Sequence, residues 1–436
     1  MKARVYCLGL LLFCSACAAP SLRYKKEVNQ LLVGGQFQQA AVLLEEKKQK
    51  VYSQKDATLL YLDQAALRHD AHETVASDQL FAQAQQNIND LYAKSLTGSL
   101  GQLLINDLTT PYYASPYEQA FTYYYRGLNF LQKGDLSSAA VEARRAVFFL
   151  DHLRGSKSSG YNDDPFVQYF ASLVFESVGE LSSARIARQN AFNAYARFGG
   201  RFNFTAPEFY VPSNANSLGE VVVFHHNGLL PLKKTQTVQV AWDRLLVMAS
   251  SPQENSDTMA PEVANAISAA WVGNAVTISF PSLELQPYRV VSSWVEAGGQ
   301  RYYTQKVADL AASLTLDLEE KMPGILFRTA TRAVVKQVAA EQARQAVRET
   351  TEETVWGDLA GALVSVLGTL TEKADTRHWF TLPAEIRMTR IFLVPGNQNI
   401  RMLFRDGYGN IVGEHVFENV PVRPGGRVYL YHRTAY

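Results

Sequence analysis

Three short strings recur in the first half of this chain: GQFQQA (Gly35 to Ala40), GDLSSA (Gly134 to Ala139) and GELSSA (Gly179 to Ala184). Each stands between two apolar stretches of helical length, so each reads as the turn of a helix-turn-helix. The glycine ends the first helix, where a left-handed residue is needed. The polar residue after it can cap the next helix, Phe or Leu packs the corner, and Ala lets the two helices approach closely. The recurrence restricts the first half to stacked helix pairs.

These strings resemble the turn and second-helix start of a tetratricopeptide-like repeat. The fullest copy is YYYRGLNFLQKGDLSSAAVEARRAVFFLD, Tyr123 to Asp151. It begins with Tyr123 and Tyr124 and has Gly127 and Phe130 in its first helix. Gly134 lies at the turn, and Ala139, Ala143 and Ala146 share the inner face of the second helix. The next copy supplies Ser172, Phe175, Gly179, Leu181, Ala184 and Ala191. A fainter one, Leu59 to Ile88, offers Ala76 and Leu80 with His72 in the turn. Gly134 and Gly179 are 45 residues apart, against about 34 in an ordinary repeat. The excess is the polar connection Asp151 to Asp163. An irregular tetratricopeptide-like α-solenoid of seven or eight helices over residues 17–200 is expected. Its concave surface either holds a protein segment or serves packing alone.

After Arg201 the pattern changes. Residues 201–218 read as a linker and 219–436 as a β-rich domain, so the whole chain is expected to be α+β. Strand-like runs are Glu220 to His226, Thr235 to Ala241, Ala275 to Phe280, Tyr288 to Val295, Gln300 to Gln305, Ile386 to Leu393, Ile400 to Asp406, Ile411 to Phe417 and Arg427 to His432. Short alternating strands at this interval predict a small antiparallel sandwich or sheet, with a hairpin turning at EAGG. His225 and His226 are adjacent on a strand and so point to opposite faces. A helical hairpin insert, 306–372, interrupts the strands. Its first helix runs from Asp309 to Glu353 with a break near Pro323, and its second includes Trp356 to Leu370. Arg328, Arg332, Lys336, Arg344 and Arg348 form a basic stripe on the first. The pair either covers the sheet or touches anionic lipid. Just beyond it, Asp375, Arg377, His378 and Trp379 crowd before a strand. They read either as a helix end with an internal Asp–Arg pair and a Trp plug, or as a recognition corner.

The N-terminus bears on where such a chain works. Lys2 and Arg4 precede an apolar run, Val5 to Phe13, too short to span a bilayer. Ser15 and Ala16 then lead to Cys17, a sequence that resembles the lipobox of bacterial lipoproteins, with Cys14 in the place of the usual Leu. The resemblance implies cleavage of residues 1–16 and lipidation of Cys17. An ordinary signal cut elsewhere, for example before Pro20, is the alternative. Cleavage before Cys17 discards Cys7 and Cys14, so of three cysteines one remains and no internal disulfide is possible. Losing Lys2 and Arg4 takes the basic residues from 42 to 40 against 41 acids, a net charge of −1. That gives no general attraction to nucleic acid. Ala18 follows the Cys, where Asp would resemble an inner-membrane retention signal. An outer-membrane anchor facing the periplasm is therefore expected.

No G-x-S-x-G, P-loop, H-E-x-x-H or G-x-G-x-x-G occurs. A Cys nucleophile is ruled out if Cys17 is the anchor, and the eight histidines are scattered along the chain. No catalytic residue, cofactor or metal is expected. Together GLNFLQKGDLSSAAVEARRA, GEVVVFHHNGLLP, RTATRAVVKQVA and EKADTRHWFTLPAEIRMTRIFLVPG resemble an uncharacterised family of Gram-negative outer-membrane lipoproteins with N-terminal tetratricopeptide-like repeats and a β-rich C-terminal domain. The resemblance implies an envelope accessory protein linked to peptidoglycan assembly. The expected function is a non-catalytic scaffold or adaptor that binds other envelope proteins. A structural subunit of a secretion or appendage complex is the alternative.

Overall fold

The structure, a computed structural model, describes residues 21–95, 110–156, 161–202, 206–241, 244–245, 275–350 and 373–436. Cys17, the signal segment and Trp356 to Leu370 lie outside these residues, as do the side chains of Lys336, Arg344 and Arg348.

The first half forms four consecutive helical hairpins: α1 (Leu22–Val33) with α2 (Phe37–Val51), α3 (Ala57–Asp70) with α4 (Thr74–Ser95), α5 (Pro116–Gln132) with α6 (Leu136–Ser156), and α7 (Pro165–Ser177) with α8 (Leu181–Phe202). The reversal in each takes a left-handed residue, Gly35, His72, Gly134 or Gly179, with φ of 68°, 61°, 76° and 79°. A Cβ built on Gly134 meets nothing within 4 Å, so only the backbone opposes a side chain there. Gly134→Val is expected to cost about 1–2 kcal/mol, read as a lower denaturation midpoint; an unchanged midpoint would contradict the turn geometry. Gly127 is required for a different reason: a Cβ there would come within 2.9 Å of the Phe170 ring.

The second half contains β1 (Gly219–Asn227), β2 (Leu232–Ala241), β3 (Ala275–Glu284), β4 (Ser292–Ala297), β5 (Gln300–Tyr303), β6 (Gln305–Asp309), the long helix α9 (Leu310–Thr350), β7 (Glu385–Leu393), β8 (Gly396–Arg405), β9 (Ile411–Val422) and β10 (Arg427–Thr434). The α+β class holds. One sheet has the order β10-β1-β7-β6, a second β5-β4-β8-β9, and β2 and β3 form a separate ribbon. The expectation of a purely antiparallel domain fails at β1 and β10, which pair in parallel from Glu220↔Arg427 to Asn227↔Thr434. A parallel pair needs a long crossover, and here the rest of the β-rich half supplies it. The EAGG hairpin is present as β4 and β5, turning through Gly298 and Gly299 at positive φ.

These elements stack in three layers. Every residue of β1 is buried, because the strand is central in its sheet and covered on both faces. Val222 and Phe224 join a core shared with the helices, including Tyr124, Phe166 and Phe170. Val221 and Val223 join a second core with Val295, Ile400, Met402 and Phe404 of the other sheet. Thus α8 ends at Phe202 and β1 begins at Gly219, yet one apolar cluster runs through both halves.

The insert differs from expectation in two respects. Residues 306–309 belong to β6, so the helix starts at Leu310. No break occurs at Pro323, which lies inside a continuous α9. A proline inside a helix costs about 3 kcal/mol. Leu310, Leu314, Leu318, Phe327, Ala330 and Val334 are buried on either side of it, and each large side chain gains about 1.5–3 kcal/mol from burial. Packing therefore outweighs the breaker. No helix among the described residues is long and apolar enough to cross a membrane.

Candidate functional site

Where the helical layer, the β2–β3 ribbon and α9 meet, a cleft of about 460 Å³ opens. The segment Thr110 to Ser115 forms one wall, Leu318, Lys321, Ile325 and Arg328 of α9 another, and Lys233, Pro281, Asp375 and Arg377 complete it. It falls in the size range of ligand sites. The crowded residues before β7 are thus split. Asp375 and Arg377 line the cleft, while His378 and Trp379 are buried behind it.

Each wall is held by specific bonds. Glu118, wholly buried, caps α5 by accepting from the Ser115 N–H at 2.7 Å. It also accepts from the Tyr112 hydroxyl and, at 2.8 Å, from the Trp379 N–H. Arg377 donates to Asp56 at 3.0 Å, to Asp375 at 2.7 Å and to the Thr110 carbonyl at 3.0 Å. Burial alone would raise the Asp375 carboxyl, but the bonds and charge of Arg377 hold it below its ordinary range. Lys321 donates to Asp317 and to the Ser115 hydroxyl, both at 2.8 Å. Trp379 packs against the stacked pair Phe81 and Tyr125, with ring centroids at 5.6 and 5.7 Å, and donates its indole N–H to Thr381. The His378 Nε2 lies 3.1 Å from the Pro231 carbonyl, and its Nδ1 is 3.3 Å from the ammonium of buried Lys25. So the internal Asp–Arg pair and the Trp plug both exist, and Asp375 and Arg377 also face an opening.

Of the repeat residues expected to meet a partner, Gly134 and Gly179 are exposed at their turns and the larger side chains pack inward. Tyr124, Ala139, Phe175 and Ala184 are in the core, and Tyr123 and Phe130 pack on its edge. The Tyr124 hydroxyl is 2.8 Å from Nε2 of His226. The core positions among them are taken up by packing against the chain's own sheet.

His225 and His226 do face opposite ways. His225 lies between Ser293 and Thr434 at 2.8 and 2.7 Å. His226 turns toward His69, whose ring centroid is 6.1 Å away. This brings together His69, Asp70 and His226, all buried, with one ligand atom each within 4.8 Å of the others. The donor set fits a metal poorly. Asp70 already accepts from Tyr431 and faces the buried Arg433 guanidinium at 3.5 Å, so the positive charge a cation would bring is present. The sequence gives no hint of this cluster, because His226 enters it through the sheet from more than 150 residues away.

Lys233 is the residue that sequence reading missed. It is 8% exposed, faces the cleft, and its ammonium forms no hydrogen bond or ion pair with any described residue. Nothing in LKKTQTVQV separates it from its neighbour Lys234, which pairs with Glu284 at 3.9 Å. Comparison with protein-family models, with curated proteins and with solved structures gave no match.

Proposed function

We propose that this chain is a non-catalytic scaffold or adaptor of the Gram-negative cell envelope. It is tethered through lipidated Cys17 to the outer membrane, faces the periplasm, and holds a segment of another envelope protein in the cleft. The four hairpins with left-handed turns support reading the first half as an irregular tetratricopeptide-like array whose inner face serves the chain's own sheet. The observation that carries the binding role is the construction of the cleft. Its walls come from five separate parts of the chain, cross-tied through Arg377, Glu118 and Lys321, with apolar surface from Tyr113 and Ile325 left open between them. A site held rigid in this way loses little entropy on binding. The resemblance to envelope accessory lipoproteins adds the link with peptidoglycan assembly.

Two experiments test the two parts. Cys17→Ala is expected to abolish lipid labelling and release the protein from the outer-membrane fraction; unchanged fractionation removes the anchor. A photo-crosslinking side chain at Tyr113, 47% exposed on the cleft wall, is expected to give a discrete protein adduct in cells. The same side chain at Tyr408, 93% exposed on the β8–β9 turn, should not. Equal labelling at both positions rejects the cleft as the docking surface.

A further inference from the structure

One cation lining the cleft, Lys233, takes no part in its internal pairings. Lys321 is held by Asp317 and Ser115, and Arg377 by Asp56 and Asp375. Arg328 is engaged as well. Lys233 alone of the lining cations lacks a partner among the described residues. The carboxylates whose charge it feels are Asp317, Glu118 and Asp375, and each already accepts from other groups. Burial pushes the Lys233 ammonium below its ordinary range, and the nearby charge of Lys321 adds to that.

We infer that the cleft recognises one Asp or Glu carboxylate, carried on an otherwise apolar segment of the protein partner, and that Lys233 is its counterion. This rests on the cleft being the docking surface. One unspent cation matches a monoanion, whereas a phosphate dianion would need a second. The walls beside Lys233 are Pro111, Tyr112, Tyr113, Pro281, Leu318 and Ile325, surfaces that take apolar side chains on either side of the acid. An ammonium that has lost most of its exposure gains a charge-assisted hydrogen bond when the carboxylate arrives. A neutral side chain of the same shape leaves that ammonium buried and unpaired, so discrimination is strong.

The test is selection of a random decapeptide display library on the full lipidated chain in detergent, followed by synthesis of a selected peptide and its Glu→Gln or Asp→Asn analogue. Selected peptides should share one acidic position flanked by apolar residues. The amide analogue should bind at least roughly 30-fold more weakly, the lower end for breaking a buried charge pair. Lys233→Met should weaken the acidic peptide by a similar factor and leave the analogue unchanged. The denaturation midpoint of Lys233→Met should not fall, because the variant removes an unpaired buried charge. If it does fall, the peptide pair on the unmodified protein still decides. Peptides that are lost on Tyr113→Ala but bind equally as acid and amide overturn the carboxylate while leaving the docking surface in place. Displacement by inorganic phosphate and not by acetate reassigns the cleft to phosphate and overturns it too. Binders that ignore both Tyr113→Ala and Lys233→Met, or none at all, remove the docking surface itself.

Discussion

Arg377→Met is expected to destabilise the folded chain by about 3–5 kcal/mol, the usual result of deleting one partner of a buried ion pair. The side chain is 3% exposed and its partner Asp56 is 4% exposed. Its other donors go to Asp375 and the Thr110 carbonyl. Methionine keeps the apolar stem of the side chain but leaves the buried Asp56 carboxylate without its cation, where an ionised acid is costly, and Asp375 at the cleft edge unpaired as well. Arg377→Lys should recover only part of the loss, since one ammonium cannot make the forked contacts of a guanidinium. Asp56 lies in the short helical turn before α3, 321 residues from Arg377, so the loss should appear as weakened coupling between the helical and β-rich halves. Chemical denaturation followed by Trp fluorescence reads it. A loss under about 1 kcal/mol, the level of an exposed pair, would show that the halves do not depend on this junction.

The features legible in the sequence are those with a local cause. The left-handed turns at Gly35, Gly134 and Gly179 are written in six-residue strings because only the backbone conformation matters there. Even the faint copy put His72 at its turn, and His72 has φ 61°. Strand alternation likewise separated His225 from His226, since side chains on a strand alternate whatever lies around them. What could not be read depends on distant partners. Nothing near Tyr124 says that the chain's own β1 will cover it, and nothing near Glu220 names Arg427 as its parallel neighbour. Pro323 misled because its local cost is real and is offset by burial elsewhere along α9. Lys233 was invisible for the same reason in reverse: its significance is the lack of a partner, a property of the assembled cleft. Asp375 and Arg377 were noticed for their crowding, but sequence could not show that one pair both locks the junction and lines its opening.

Acidification should unfold this protein steeply below about pH 6.5, by a balance that the buried groups allow to be worked out. Seven histidines titrate below their ordinary value, His72 and His415 among them through burial, and five stand furthest from it. His69 and His432 are pushed down to about 3, and His225, His226 and His378 well below the usual range, in each case chiefly by burial. Unfolded, each binds a proton near pH 6.5, so each contributes stability that is full above that pH and lost as pH falls. Five carboxyls oppose this, Glu142 and Asp163 among them through burial, and three are raised furthest. Burial raises Asp63 to about 7 and Asp70 and Asp164 to about 6. Folded, they hold protons that the unfolded chain releases above about pH 4, so they favour the folded state on the acid side. Near pH 5 the unfolded chain therefore binds two more protons from these eight groups, and stability falls by about 2.7 kcal/mol per pH unit. Lys25 extends the trend upward. Burial lowers its ammonium to about 7, so the unfolded chain holds a proton that the folded chain has lost and stability rises from pH 7 to 8, until the buried tyrosines, raised by burial, reverse the trend as the unfolded chain loses their protons towards pH 10. Denaturation midpoints at intervals from pH 4 to 8 should increase throughout. His432→Phe removes one of the five histidines while keeping a ring against Phe404, 5.3 Å away, and should flatten the acid limb by about one proton, 1.4 kcal/mol per unit. An acid limb that is flat in the unmodified protein, or unchanged in His432→Phe, would mean that these histidines are not held neutral in the folded state.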